Sequence, residues 1–185
     1  MQHPNTLAPS QSALLIIDMQ EAFRGSIADF ELITARTVIA VHGAKRLGLP
    51  ILVTEQYPKG LGHTLAEIKE ALPADLQIIE KTTFSSCGAQ QFQKELQARE
   101  IKQVLVSGIE THICVNQTVH DLLSSNYQVH LLADCISSRK QIDKEMAFRK
   151  MERSGAIPST VEMALFELLH DAKHEQFRAI QGLIK

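Results

Sequence analysis

Cysteine is scarce in this 185-residue chain, which has three, Cys87, Cys114 and Cys135. An odd count without a CxxC pair argues against a disulfide framework and against a cysteine-built zinc site, and it suits a reducing cytoplasm. No apolar run approaches the roughly 20 residues that a membrane helix requires. Charge of one sign is never massed, since 19 Lys and Arg stand against 21 Asp and Glu for a formal charge of -2. Nothing here would grip a phosphate backbone or an anionic lipid surface, so neither nucleic acid nor membrane is an expected partner. The segment from Met1 to Ser10 is polar and contains Pro4 and Pro9; it lacks the basic start and apolar core of a secretory leader. No strand-like run is followed by GxGxxG or a Walker A sequence, and Gly60-Leu61-Gly62 is too short a match to suggest a nucleotide site.

What is present is enough apolar surface for one core. With 44% hydrophobic and 22% charged residues, residues 1–185 read as a single compact domain. Short apolar runs at 13–17, 51–54, 77–80, 104–107 and 129–133 read as buried parallel strands, with a weaker sixth near 156–157. Between them, helical periodicity covers residues 30–48, 64–72, 88–100, 114–126, 141–154, 160–170 and 174–184. Val161, Ala164, Leu165, Leu168 and Leu169 trace one apolar face, which Phe177, Ile180 and Ile184 continue. Thr64 with Glu67, and Ser159 with Glu162, have the spacing of capping boxes. Gly48 and Pro50 bracket the end of the first long helix. Alternating strands and helices predict a three-layer α/β/α domain on a parallel sheet of five strands and the weaker sixth.

Open sheets of this kind bind ligands beyond the carboxyl ends of their strands. Asp18 follows the first strand, Glu55 the second, Lys81 the third and Asp134 the fifth; Cys114 lies just past the fourth, where a helix begins. A thiol reacts as thiolate, and a helix N-terminus with a nearby ammonium lowers its pKa. Asp18 is the carboxylate placed to take the thiol proton, and backbone N–H groups between Gly108 and Cys114 are placed to meet an oxyanion. Each residue also has an ordinary reading. Asp18 would be a turn residue, Lys81 a solvated charge and Cys114 a small buried hydrophobe, as Cys87 and Cys135 are expected to be.

The residues that separate these readings are motifs. They are Leu14-Leu15-Ile16-Ile17-Asp18-Met19-Gln20 with Phe23, then Glu80-Lys81-Thr82-Thr83-Phe84-Ser85, then Val106-Ser107-Gly108-Ile109-Glu110-Thr111-His112-Ile113-Cys114-Val115. A further match, Leu132-Ala133-Asp134-Cys135-Ile136-Ser137-Ser138-Arg139, extends the pattern across nearly the whole chain. Together they resemble the isochorismatase-like cysteine hydrolases. The segment from Val53 to Gly62 and the ending Phe166-Glu167-Leu168-Leu169 look most like the small isochorismatase domain-containing proteins. The resemblance implies a six-stranded parallel sheet, and a triad in which Asp18 takes the thiol proton, Lys81 stabilises charge and Cys114 attacks carbon. It further implies a cis peptide between Ile109 and Glu110, an oxyanion hole made by the backbone N–H groups of Glu110 and Cys114, and a homo-oligomer.

Departures from better-known relatives narrow the chemistry. Nicotinamidases of the family carry a metal-holding Asp and His cluster after the second strand, where this chain has Glu55-Gln56-Tyr57-Pro58 and a solitary His63. No metal and no cofactor are expected. Isochorismate hydrolysis does not depend on a cysteine nucleophile, so Cys114 favours a small amide, carbamoyl or related C–N substrate passing through a thioester. A vinyl-ether substrate, or a catalytically idle family member acting as an interaction protein, are the alternatives. Phe23, Gln56, Tyr57 and Phe84 are the expected substrate contacts, with the irregular stretch 56–62 as a pocket wall. His112 has a structural or interface role as its alternative, and Asp134 either orders the site or caps a helix or turn.

Overall fold

The structure, a computed structural model, describes residues 3–185. Met1 and Gln2, the start of the polar N-terminal segment considered above, lie outside the described residues. Six strands form one parallel sheet: β1 (Ser12–Ile17), β2 (Ile51–Gln56), β3 (Ile79–Lys81), β4 (Gln103–Ile109), β5 (Gln128–Ser137) and β6 (Ile157–Ser159). Their order is β3-β2-β1-β4-β5-β6, so the sequence of strands reverses between β1 and β4. That junction is where crossover connections diverge to opposite faces and leave a crevice.

Burial of β1 on both sides shows why its apolar run is unbroken. Leu14 and Ile16 enter one core with residues of α1 (Phe30–Arg46), α3 (Ala66–Ala71), α7 (Val161–Leu169) and α8 (Phe177–Ile184). Ala13, Leu15 and Ile17 enter the other with α4 (Gln90–Ala98), α5 (Asn116–Ser124) and α6 (Gln141–Arg153). The alternation of side chains along a strand thus feeds two helical layers from one sheet. The remaining helix, α2 (Pro58–Leu61), is a single short turn within the stretch expected to be irregular.

Several local expectations are corrected. Thr64 caps nothing; its N–H and Oγ1 both donate to Glu55 Oε1, at 2.6 and 2.7 Å, and α3 starts later. The N-cap of α7 is Thr160, whose hydroxyl accepts from the Met163 N–H at 3.3 Å, while Ser159 ends β6. β5 runs past residue 133 because its register against β4 slips between Val106 and Gly108, which draws the segment through Ser137 into the sheet. A bulge of this kind is invisible to a reading based on alternation.

Two residues bear on how this frame holds. Gly108 has φ +121, and a Cβ there would lie 2.1 Å from the Ile17 carbonyl oxygen. No side chain fits between β1 and β4 at the crevice. Gly108→Ala is expected to lower stability by roughly 3 kcal/mol, read as a drop in denaturation midpoint. His130 is buried in β5 with no partner for Nδ1, and burial pushes its pKa down to about 4. Because the folded value lies below the unfolded one of about 6.5, the unfolded chain takes up a proton that the native state refuses. Stability is therefore expected to fall as pH drops from about 6.5 towards about 4. In denaturation curves across that window, His130→Leu should show a shallower loss than the parent.

Candidate active site

Asp18 stops β1 in a left-handed conformation, φ 53. Its N–H still donates to the Thr54 carbonyl at 3.1 Å, so the residue stays tied to β2 while its side chain turns beyond the strand end. The carboxylate is buried and meets Lys81 from the end of β3, with Nζ 2.6 Å from Asp18 Oδ2. Lys81 Nζ also donates to Gln56 Oε1 at 2.8 Å, to the Phe84 carbonyl at 3.0 Å and to the Thr83 carbonyl at 3.2 Å. An ammonium has three protons, so this ring of oxygens satisfies it completely without water. A buried charge is tolerable only when paired and hydrogen-bonded in this way.

Cys114 comes to the same carboxylate from the other side of the crevice. It lies in one turn of π-helix, Thr111–Val115, that precedes α5. The turn closes on Glu110, whose carbonyl accepts from the N–H groups of Ile113 and Val115 at 3.0 and 3.2 Å. The thiol is 8% exposed. Its pKa is pushed up to about 12, first by burial and then by the Asp18 charge, with Lys81 opposing. This corrects the expectation of a depressed value. The helix start and the ammonium are present, but desolvation and a facing carboxylate outweigh them. The sulfur thus rests as a thiol facing the Asp18 side chain.

The Ile109–Glu110 peptide is cis. The Glu110 side chain is buried, and its Oε1 accepts from the Arg139 N–H at 3.1 Å and from Arg139 Nε at 2.9 Å. That interaction fastens the turn bearing Cys114 to the end of β5. His112 is fastened there too, its Nδ1 lying 3.0 Å from Ser138 Oγ.

The expected substrate contacts divide. Tyr57, 55% exposed, lines a 480 Å³ groove with Lys59, Glu80, Lys81 and Thr83, and the Phe84 ring is 53% exposed next to the lysine's backbone partner. Phe23 instead packs partly buried against the core on the α1 side, the ordinary fate of an aromatic residue near a strand. Gln56 engages protein partners with both atoms of its amide. Its Oε1 holds Lys81 and its Nε2 donates to the Thr82 carbonyl at 2.8 Å, so its amide positions the lysine. The larger cavity, 610 Å³, lies at the opposite end of β2 around Lys45, Pro50, Asp75 and Arg99, away from Asp18, Lys81 and Cys114.

Asp134 takes its helix-capping alternative, Oδ1 accepting from the Val161 N–H at 3.0 Å at the start of α7. Glu55 faces the loop rather than the crevice. Burial opposes its ionisation, but donors from Thr64 and His63 outweigh burial and hold it below the usual carboxylate range. Among the described residues no three His, Cys, Asp or Glu side chains are grouped so as to hold a metal ion. Two residues with roles here had none assigned from sequence. Thr54 donates Oγ1 to Asp18 Oδ1 at 2.8 Å. Gln20 clips the loop after β2, donating Nε2 to the Gln56 and Gly62 carbonyls at 3.0 and 2.6 Å and accepting from the Gln56 N–H at 2.7 Å. The signal for Gln20 was its place in the first motif; for Thr54, one more β-branched residue in a strand, there was none.

Comparison with known proteins places the fold and the family. The Isochorismatase domain model matches residues 12–163. Isochorismatase domain-containing protein 2A of Mus musculus is 42% identical over 180 residues, covering 97% of this chain and 85% of the mouse protein. A structure described as MAR1 ribonuclease from Caenorhabditis elegans is 39% identical with a TM-score of 0.92, covering 97% of this chain and 92% of that one. YcaC from Pseudomonas aeruginosa, solved with hexane-2,5-diol and covalent acrylamide, shares the fold at a TM-score of 0.90 and 22% identity, covering 99% of this chain and 93% of that one. The conclusion from sequence match, strand order and crevice together is that the chain belongs to the isochorismatase family, with its hydrolase fold.

Proposed function

We propose that the chain is a cysteine hydrolase acting on a small amide, carbamoyl or related C–N substrate through Asp18, Lys81 and Cys114. The observation that carries this reading is the dry contact of Lys81 Nζ with Asp18 Oδ2 at 2.6 Å, with the Cys114 thiol against the same carboxylate. Lys81 holds Asp18 in place and keeps the crevice favourable to anions. Asp18 supplies the base. Burial of all three groups restricts access to small or narrow substrates.

In the first half-reaction the Cys114 proton passes to Asp18 as sulfur bonds to the substrate carbon. The carbon–oxygen π pair moves onto oxygen, where the backbone N–H groups of Glu110 and Cys114 serve as donors. Asp18 then protonates the leaving nitrogen, the C–N bond breaks, and a thioester remains on Cys114. In the second half, water loses a proton to Asp18 and attacks the thioester. The C–S bond breaks, the acid departs, and the proton returns to sulfur, so that one water has been consumed and the enzyme is unchanged. The high resting pKa of the thiol fits this sequence, because sulfur gives up its proton only as the new bond forms. Tyr57, in the groove that Lys81 also lines, and the exposed Phe84 are the substrate contacts in this reading.

The ribonuclease description of the Caenorhabditis elegans relative supplies a second reaction class to test. A formal charge of -2 and the lack of a basic block in the sequence weigh against a polyphosphate substrate here. A panel of amides, carbamoyl compounds, nitriles, vinyl ethers and single-stranded RNA, run beside Cys114→Ala, tests the reading directly. Turnover of a C–N substrate that disappears in Cys114→Ala is the expected result; full activity in that variant excludes a covalent route.

Asp18→Asn separates the base from the nucleophile. It is expected to lower turnover roughly 10²- to 10⁴-fold, the usual worth of a general base. The same variant is expected to alkylate faster at Cys114 near neutral pH. Asp18 raises the thiol pKa whereas Lys81 lowers it and keeps three other oxygen partners, so removing the aspartate charge moves the alkylation midpoint to lower pH. Iodoacetamide labelling read by mass spectrometry measures it; an unchanged midpoint would contradict the proposed contact between the two groups.

A further inference from the structure

The lysine accounts for one oxygen of Asp18. The other, Oδ1, accepts from Thr54 Oγ1 at 2.8 Å. Behind Thr54 stands Ser86, with its Oγ 3.5 Å from Thr54 Oγ1, and behind Ser86 stands Thr118, whose Oγ1 donates to Ser86 Oγ at 3.4 Å. The far end is anchored to main chain, because the Ser86 N–H donates to Thr118 Oγ1 at 2.9 Å. An ionised carboxylate only accepts, so the Thr54 proton is committed to Asp18 and the proton between Thr54 and Ser86 belongs to Ser86. All three hydroxyls therefore point one way, from Thr118 through Ser86 and Thr54 to Asp18.

Thr54, Ser86 and Thr118 are each 0% exposed, so no solvent competes for these bonds. The three hydroxyls also lie on the elements next to those that bring the triad residues. Thr54 lies on β2 beside Asp18. Ser86 lies in the turn that follows Lys81 and β3. Thr118 is on α5, four residues past Cys114. Valine or alanine would fill such sites without leaving a polar group to satisfy, so packing alone does not account for three hydroxyls in a row.

We propose that Thr54 is a positioning residue for the triad and that Ser86 and Thr118 hold it, so that one hydroxyl relay fixes Asp18 relative to both Lys81 and Cys114. The inference rests on the catalytic reading above. A series of aligned hydroxyls polarises its last member, and that member shares the charge on Oδ1 while stopping the carboxylate from swinging wholly onto the ammonium. The two inner contacts are longer than the outer two, so influence on Asp18 declines with distance along the relay.

The test measures the rate of Cys114 alkylation by iodoacetamide against pH on the full chain, with peptide mass spectrometry to separate Cys114 from Cys87 and Cys135. Thr54→Val keeps the shape and removes the donor; it is expected to move the midpoint upward and slow alkylation at neutral pH roughly three- to tenfold, since unshared charge on Asp18 opposes the thiolate more strongly. Thr54→Ser should restore the parent rate. Thr118→Val is expected to act in the same direction by about twofold, and to add nothing in a Thr54→Val background, because both cut one series. A folded Thr54→Val protein with the parent profile overturns the proposal, as does a Thr118→Val effect that simply adds. If Thr54→Val does not fold, Thr118→Val decides alone, and an unshifted profile overturns the relay. The Asp18→Asn profile distinguishes the two failures: unmoved, it removes the triad reading itself; shifted while the threonine variants are silent, it removes only the relay.

Discussion

The ion pair between Lys81 and Asp18 is the constraint around which the rest of the crevice is arranged. Two opposite charges with side chains 1% and 2% exposed stand in contact at the ends of separate strands. Loss of either partner would leave the other buried without compensation, typically worth 3–5 kcal/mol. The surroundings follow from that requirement. Gln56 and two backbone carbonyls complete the lysine, Thr54 completes the aspartate, and Gln20 holds the end of β2 at Gln56. The pair also sits beside the reversal of strand order, where the close approach of Gly108 to Ile17 brings β4 near enough for Cys114 to share the carboxylate.

For sulfur, the environment works in two opposing directions. A lysine favours thiolate, whereas a dry pocket and an aspartate favour thiol, and the balance lies with the protonated form. A thiolate is the species that alkylating and oxidising agents attack. In the proposed mechanism, keeping the proton on sulfur until a substrate carbon is in place makes formation of the nucleophile part of the reaction itself. Cys87 and Cys135 are also held protonated, mainly by burial, but neither has the Asp18 and Lys81 pair beside it.

Much of the architecture was legible because buried parallel strands leave continuous apolar runs and polar stops. Ala13 to Ile17 ending at Asp18 is the clearest case, and the strand-end rule alone located Asp18 and Lys81. Features set by tertiary context were not legible. Thr64 has the spacing of a cap but serves Glu55, since a buried carboxylate needs its donors more than a short helix needs a cap. Phe23 packs partly buried against the core and Gln56 holds a lysine; both facts depend on where a side chain turns beyond its strand. The thiol pKa depended on desolvation, which spacing does not report. The buried hydroxyls of Thr54, Ser86 and Thr118 lie far apart in the chain, and each alone reads as ordinary strand, turn or helix.

The shortness of β3 carries a consequence of its own. Lys81 is the last residue of a three-residue edge strand that pairs with β2 only from Thr54 to Gln56. Edges of sheets fray at lower free energy than their centres. A brief detachment of this rim would carry the ammonium away from a carboxylate and a thiol that remain seated on central elements. On the proposed mechanism the molecule would then lose its chemical competence while its interior stayed intact, so that the temperature limit of the chemistry and that of the fold are separate quantities.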